Sequence, residues 1–422
     1  MDMKRIFPKD FLWGSSAAAH QVEGNNYNDW SVWEKKNAAH LAKTAQKRWN
    51  DDLRMKGTNI ALPEEAFDPS NYISGDATDH YNRFREDFDI AKSLGHNAHR
   101  FGIDWARIEP EEGKFNEKEI AHYRKVISAL RERGIEPMVC LSHWTLPIWV
   151  AETGGIVSSK FPDYFARYVR RIVEEYKDSV TLWITFNEPT VPILAGYIAG
   201  VFPPQRKNPL LSLRVYKVLA AAHRMAYGII HELSPDAQVG FAPALIYLEP
   251  YSRSPLDKIA CNFADYWVNK HFLKLTGGTN DYLAIQYYDH LKIKFPASVK
   301  SEAEKVSDMG SELHQEGLYY WLMRLKKYNL PIYITENGIA DAKDKYRTEF
   351  IKDAVHYMKK ALREGADLRG YFHWSLTDNF EWNKGFWPRF GLVEIDYKTK
   401  ERRIRKSAQI YKDIILKERG EE

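Results

Sequence analysis

The chain has 422 residues, 44% of them hydrophobic and 14% aromatic, so it has the material for a large core. Its 61 basic and 57 acidic residues nearly cancel to +4, which implies no dominant anionic partner such as nucleic acid. No run approaches the ~20 apolar residues of a membrane-spanning helix, and Pro8-Lys9-Asp10 interrupts the one stretch that imitates a secretion signal.

Two cysteines, Cys140 and Cys261, sit in apolar contexts without zinc-ligand spacing. They predict buried thiols in a reducing, cytoplasmic compartment rather than a disulfide framework. The charge-rich, cysteine-poor composition suits a thermophile. The basic cluster Arg402-Arg403-Ile404-Arg405-Lys406 predicts a solvated face on a helix spanning 404–418, with membrane-surface or nucleic-acid contact as the lesser alternative.

In chain order, "FLWGSS" (11–16) reads as a first strand. The stretch 25–78 is long for a loop, so it is expected to carry its own helix and cover one end of the fold. The pattern Tyr81, Phe84, Phe88, Ala91, Leu94 predicts a helix over 79–95, followed by a strand in "HNAHRFGI" (96–103). The plan repeats: Ile120, Tyr123, Ile127 and Leu130 share a helix face ahead of the strand "EPMVCLSHW", and helix 162–177 precedes "TLWITFNEP". Further strands are expected in "QVGFAPA" (238–244), "YLAIQYY" (282–288), "PIYITEN" (331–337) and "LRGYFHW" (368–374), with a helix at 347–364. Gly95, Gly134 and Gly365 each fall where a left-handed cap would end a helix. Eight strands alternating with helices predict an α/β fold, a single (β/α)₈ TIM barrel over 1–422 with its active site at the C-terminal ends of the strands. No G-x-G-x-x-G or P-loop is present to argue for an open nucleotide-binding sheet.

Those strand ends can be read off. They carry Gln21 just past the first, Arg100 on the second, His143 and Trp144 on the third, and Asn187-Glu188 on the fourth. The sixth offers Gln286 and Tyr288, the seventh Glu336, the eighth Trp374, and the fifth nothing obvious. Two glutamates that end different apolar strands suit glycoside hydrolysis, where one carboxyl protonates the leaving oxygen and the other attacks or activates water. The acid must be held protonated by burial or by the other negative charge. Arg100 is the candidate counter-cation for the ionised partner, and a plain structural ion pair is the alternative for it. The histidines show no H-E-x-x-H spacing and no G-x-S-x-G elbow occurs, so metal and serine chemistry are not indicated.

Six blocks resemble the signatures of family 1 glycoside hydrolases, in the family's order: "FPKDFLWGSSAAAHQVEG" (7–24), "HRFGIDWARIEP" (99–110), "LSHWTLPIW" (141–149), "WITFNEP" (183–189), "YITENGI" (333–339) and "GYFHWSLTDNFEW" (370–382). The resemblance implies a retaining exo-β-glycosidase without cofactor or metal, acting on a small-molecule β-glycoside. It implies Glu188 as acid/base, Glu336 as nucleophile, and Arg100 and Tyr288 as groups that hold and charge-stabilise the nucleophile. It also implies Gln21, His143, Asn187, Glu381 and Trp382 as hydrogen-bonding partners of the terminal sugar above Trp374. Trp144, Gln286 and Phe390 complete the expected substrate-binding set. Gln286 departs from the family's usual Asn, and its extra methylene is expected to shift the amide. Thr145 replaces a common Asp and is expected to alter the acceptor side. A 6-phospho-β-glycosidase would need phosphate-binding cations after the last strand, where only Lys384 lies near Glu381 and Trp382. A thioglucosidase would lack the acid Glu188, and a non-catalytic carbohydrate-binding barrel would have lost a glutamate. Homo-oligomerisation is left open.

Overall fold

The computed structural model describes residues 6–51, 61–296, 298–299 and 303–421. Its strands are β1 Leu12–Ser16, β2 Ala98–Gly102, β3 Glu136–Cys140, β4 Leu182–Asn187, β5 Gln238–Ala242, β6 Ala244–Pro250, β7 Leu283–Lys294, β8 Ser298–Val299, β9 Ile332–Asn337 and β10 Leu368–Trp374. The parallel ladder runs β5-β4-β3-β2-β1-β10-β9-β7-β6. Its two ends, β5 and β6, are one stretch of chain broken at Pro243. β5 pairs with β4 and β6 with β7, so this broken strand closes a (β/α)₈ barrel. Pro243 has no N–H to give to a ladder, and its carbonyl instead accepts from the Gln286 N–H at 3.2 Å. The single strand expected over 238–244 is therefore two.

Helices His80–Ser93, Glu117–Glu132, Phe161–Tyr176 and Arg347–Arg363 fall within two residues of the periodicity, and their apolar stripes pack on the outer face of the barrel. Burying each large apolar side chain there contributes about 1.5–3 kcal/mol. Gly95, Gly134 and Gly365 have φ of 79°, 65° and 84°, the left-handed caps the sequence implied. Inside the barrel, Met138, Cys140, Ile184, Tyr282, Tyr333 and Phe372 form a separate apolar plug beneath the mouth. Between β1 and β2 the chain forms helices Asp29–Lys43 and Ala45–Asp51 and two short 3₁₀ turns, Glu64–Phe67 and Pro69–Tyr72; residues 52–60 lie outside the described residues.

Two readings of the sequence are corrected. The basic cluster is not a helix face: Arg402–Ile404 forms strand β12 against β11, Val393–Ile395, and the helix begins at Lys406. Arg405 makes a two-pronged pair with buried Asp378 at 2.9 and 3.0 Å, and Arg402 binds buried Asp87 at 2.9 Å. These cations are held as counter-ions. Nor does Asn337-Gly338, a dipeptide whose composition is a strong turn signal, form a turn. Asn337 is the last residue of β9, tied by its Nδ2 to the Tyr287 carbonyl at 2.7 Å. Gly338 is required by contact: a Cβ there would stand 1.8 Å from the Trp374 carbonyl oxygen. Gly338→Ala is expected to lower unfolding free energy by about 2–3 kcal/mol in urea titration, as overpacking against rigid backbone does; an unchanged midpoint would contradict this placement.

Candidate active site

The rim gathers the predicted residues because each ends a strand or follows one closely. Arg100 on β2 is fully buried, with one guanidinium nitrogen on Glu336 Oε1 and the other on Asn187 Oδ1. Gln286 on β7 donates from Nε2 to Glu336 Oε1 at 2.8 Å and to Asn187 Oδ1 at 2.7 Å. The longer side chain thus spans both partners from one amide. Tyr288 donates to Glu336 Oε2 at 2.8 Å. Glu336 on β9 therefore accepts from three side chains carried by two other strands.

Glu188 is set differently. It has φ of 41°, outside the strand conformation, and its N–H donates to the Ala242 carbonyl of β5 at 2.6 Å. That carbonyl is what the fifth strand contributes, and no side-chain pattern could have revealed it. The Glu188 carboxyl is nearly buried and takes no hydrogen bond from the described residues. Burial pushes its pKa well above the ordinary glutamate range, and the negative charge of Glu336 pushes it further. Burial also raises Glu336, but the Arg100 cation and the Tyr288 hydroxyl oppose that rise. Of the two carboxyls, Glu188 holds the proton.

Glu188, Glu336, Gln286 and Tyr288 line a cavity of about 220 Å³ with Gln21, His143, Trp144, Trp374, Glu381, Trp382 and Phe390. Arg100 and Asn187 stand behind that wall. Burial drives the His143 pKa well below its usual value, so the ring is neutral. Its Nε2 faces Asn187 Nδ2 at 2.9 Å, which puts the hydrogen on Nδ1. Nδ1 has no partner within the described residues, and neither has Gln21 Oε1. Gln21 is oriented by donating to Asn379 Oδ1 and the Phe380 carbonyl, both at 2.8 Å, and to Glu381 Oε2 at 3.3 Å. Buried donors and acceptors left open on a cavity wall are the signature of a hydroxylated ligand. Rings of Trp144 and Trp382, 4.5 Å apart, and Trp374 supply the flat apolar faces of a sugar site.

Sequence reasoning missed Asn379, which sets Gln21, and the acceptor-side wall of Ser307, Met309, Ser311 and Glu312. That wall comes from an irregular segment with no motif. Thr145 is buried but does not line the cavity, so the expected change to the acceptor side does not arise from it directly. Among the described residues no Lys or Arg lines the cavity, and Lys384 sits over the Trp49 ring, 5.5 Å from its centre, so a phosphorylated sugar is not favoured.

The model of glycosyl hydrolase family 1 matches residues 3–292 and 280–420. The chain belongs to this family. It is 32% identical to β-glucosidase A of Thermotoga maritima, with 98% of each chain covered, and 30% identical to a β-galactosidase of Pyrococcus woesei, with 97% of each covered. The structure superposes on a β-glycosidase from Pyrococcus horikoshii with a TM-score of 0.85 and 34% identity, covering 99% of this chain and 96% of that one. This family member is a retaining exo-β-glycosidase that hydrolyses O-glycosyl bonds.

A raised native pKa at Glu188 has a stability cost with a defined sign. Near pH 4, close to the unfolded value of about 4.3, the group costs little. As pH rises toward the folded pKa the unfolded chain releases a proton that the native state keeps, and stability is lost. Glu188→Gln removes the titration, so its Tm advantage over the wild type should grow with pH in differential scanning calorimetry. A difference that is constant or shrinks with pH would contradict the assignment.

Proposed function

We propose that Glu336 is the nucleophile and Glu188 the acid/base of a double displacement that releases a terminal β-linked glucose- or galactose-type sugar. The observation that carries this reading is the asymmetry of the two carboxyls: Glu336 accepts from Arg100, Gln286 and Tyr288, whereas Glu188 has no donor among the described residues and the higher affinity for a proton. In the first step a Glu336 oxygen bonds to the anomeric carbon while the glycosidic bond breaks, and Glu188 gives its proton to the departing oxygen. The ester has no charge, so Glu188, now ionised, loses the repulsion that had raised it and becomes a base. It takes a proton from water as the water oxygen attacks the anomeric carbon, and Glu336 leaves as the carboxylate.

Gln21, Glu381 and the Nδ1–H of His143 are the groups that would fix sugar hydroxyls, and Trp374 the floor beneath the ring. A substrate lacking a hydroxyl would leave the buried Gln21 Oε1 or His143 Nδ1–H unpaired, which is how such a site discriminates. Asn187, one residue before the acid, stands behind the wall, where its Nδ2 holds His143 Nε2 at 2.9 Å and so keeps the Nδ1–H for a sugar hydroxyl. Cys140 and Cys261 are both buried and unpaired, which supports a reducing compartment and an intracellular location.

Two measurements test the roles. A 2-deoxy-2-fluoro-β-glycoside should label Glu336 in a peptide map, and label elsewhere would overturn the assignment. With a dinitrophenyl glycoside, whose leaving group needs no proton, Glu188→Ala should keep its first step while the alkaline limb of the pH profile disappears. Azide should then restore turnover with a β-glycosyl azide product, and an α-azide would mean that the roles are reversed.

A further inference from the structure

Helix Pro255–Asp265 turns an apolar stripe outward: Leu256, Ile259 and Phe263, at i, i+3 and i+7, are 53%, 65% and 67% exposed. Such spacing normally packs on a core, yet the residues this helix buries are Asp257, Cys261 and Asp265. Its first turn is fastened to the far end of β7, where the Phe295 N–H donates to Asp257 Oδ1 at 2.9 Å, and the Phe295 ring is exposed. Beneath this stripe, half-buried Trp267 sits between the Phe263 ring (6.3 Å) and the buried Tyr216 ring (6.1 Å), which ties the helix to helix Pro209–Leu233. There Leu210 is 78% exposed, and Leu213, Val201 and Ile198 are exposed beside it. All of these residues lie on chain leaving the C-terminal ends of β4, β6 and β7, the side on which the catalytic cavity opens.

The exposed charges of residues 189–231 and of helix Pro255–Asp265 have one sign. Residues 189–231 contain no aspartate or glutamate but five cations, of which Arg206, Lys207, Arg214 and Lys217 flank the exposed leucines and are themselves exposed. Arg253, Lys258 and Lys294 are exposed along the other helix and the strand end. Exposed apolar side chains gathered inside a charged rim mark an interaction site, unlike apolar residues scattered singly. A symmetric contact with a second copy would set these cations against their own equivalents with no acid in the segment to answer them. Apolar side chains ringed by lysine and arginine match the interface of an anionic lipid layer. No helix of the described residues is long and apolar enough to cross a membrane, so the contact is with a surface.

We propose that this face docks the barrel mouth onto an anionic lipid surface. On the glycosidase reading above, the sugar of an amphipathic β-glycoside would enter the cavity while its acyl or alkyl aglycone stays in the lipid. The test is co-sedimentation of the full chain with phosphatidylcholine vesicles, with and without phosphatidylglycerol, across a salt series. Binding is expected only to the anionic vesicles and should weaken with salt. It should fall about tenfold or more in Leu210→Glu/Phe263→Glu and in Arg206→Glu/Lys207→Glu, while both keep wild-type kcat/KM on a soluble aryl β-glycoside. Absence of sedimentation at low salt overturns the proposal, as does unchanged binding by both variants. Light scattering that shows a wild-type dimer broken by Leu210→Glu/Phe263→Glu also overturns it, because the face is then an interface between copies.

Discussion

The contact on which the site depends is the pair between Arg100 and Glu336, enclosed at the top of the barrel. A guanidinium with no exposed surface must be matched by an anion, since isolating either charge from water costs several kcal/mol. One match holds two consequences in place. Glu336 stays ionised despite its burial, and its charge adds to the burial of Glu188 in keeping that carboxyl protonated. Tyr288 and Gln286 share the load on Glu336, and Asn187 takes the second arm of Arg100, so four strands converge on one carboxylate. Removing a member of the set would shift both proton affinities together, as expected of coupled groups.

Backbone constraints around the pair are as specific as its charges. Glu188, Trp144 and Trp382 all have positive φ, of 41°, 74° and 51°, which costs of order 1 kcal/mol each for side chains of this kind. The Ala242 carbonyl at the break in the fifth strand holds Glu188 in that conformation. On the opposite side, the loop carrying Glu381 and Trp382 is clasped from below by Asp378, which binds Arg405 and Arg389. Arginines far along the chain therefore position the groups that would read a sugar.

Much of this was legible in the sequence, for identifiable reasons. β4, β9 and β10 are buried strands with short apolar runs and sharp polar ends, so both glutamates and Trp374 could be placed from pattern alone. Helix faces at Phe84–Phe88 and Ile120–Leu130 followed from periodicity, and cap glycines from their spacing. What escaped depended on partners remote in sequence. Arg402 and Arg405 look like a solvated run until Asp87 and Asp378 are brought beside them. Asn337-Gly338 has the composition of a turn, but Gly338 is dictated by the Trp374 carbonyl, 36 residues later in a strand the local sequence does not know. Gln286 looked like a misplaced amide and proved to bridge Asn187 and Glu336. The break at Pro243 was visible as a proline, but its consequence for Glu188 was not.

The central claim is that burial, reinforced by the charge on Glu336, keeps the proton on Glu188. It is tested most directly by titrating the side-chain carboxyl carbons of ¹³C-labelled glutamate by NMR, in the free enzyme and in the fluoroglycosyl-enzyme. The account predicts that Glu188 titrates above Glu336 in the free enzyme and that its pKa drops once Glu336 is an uncharged ester. A Glu188 pKa that stays put on ester formation, or that lies below Glu336 at the outset, would contradict it.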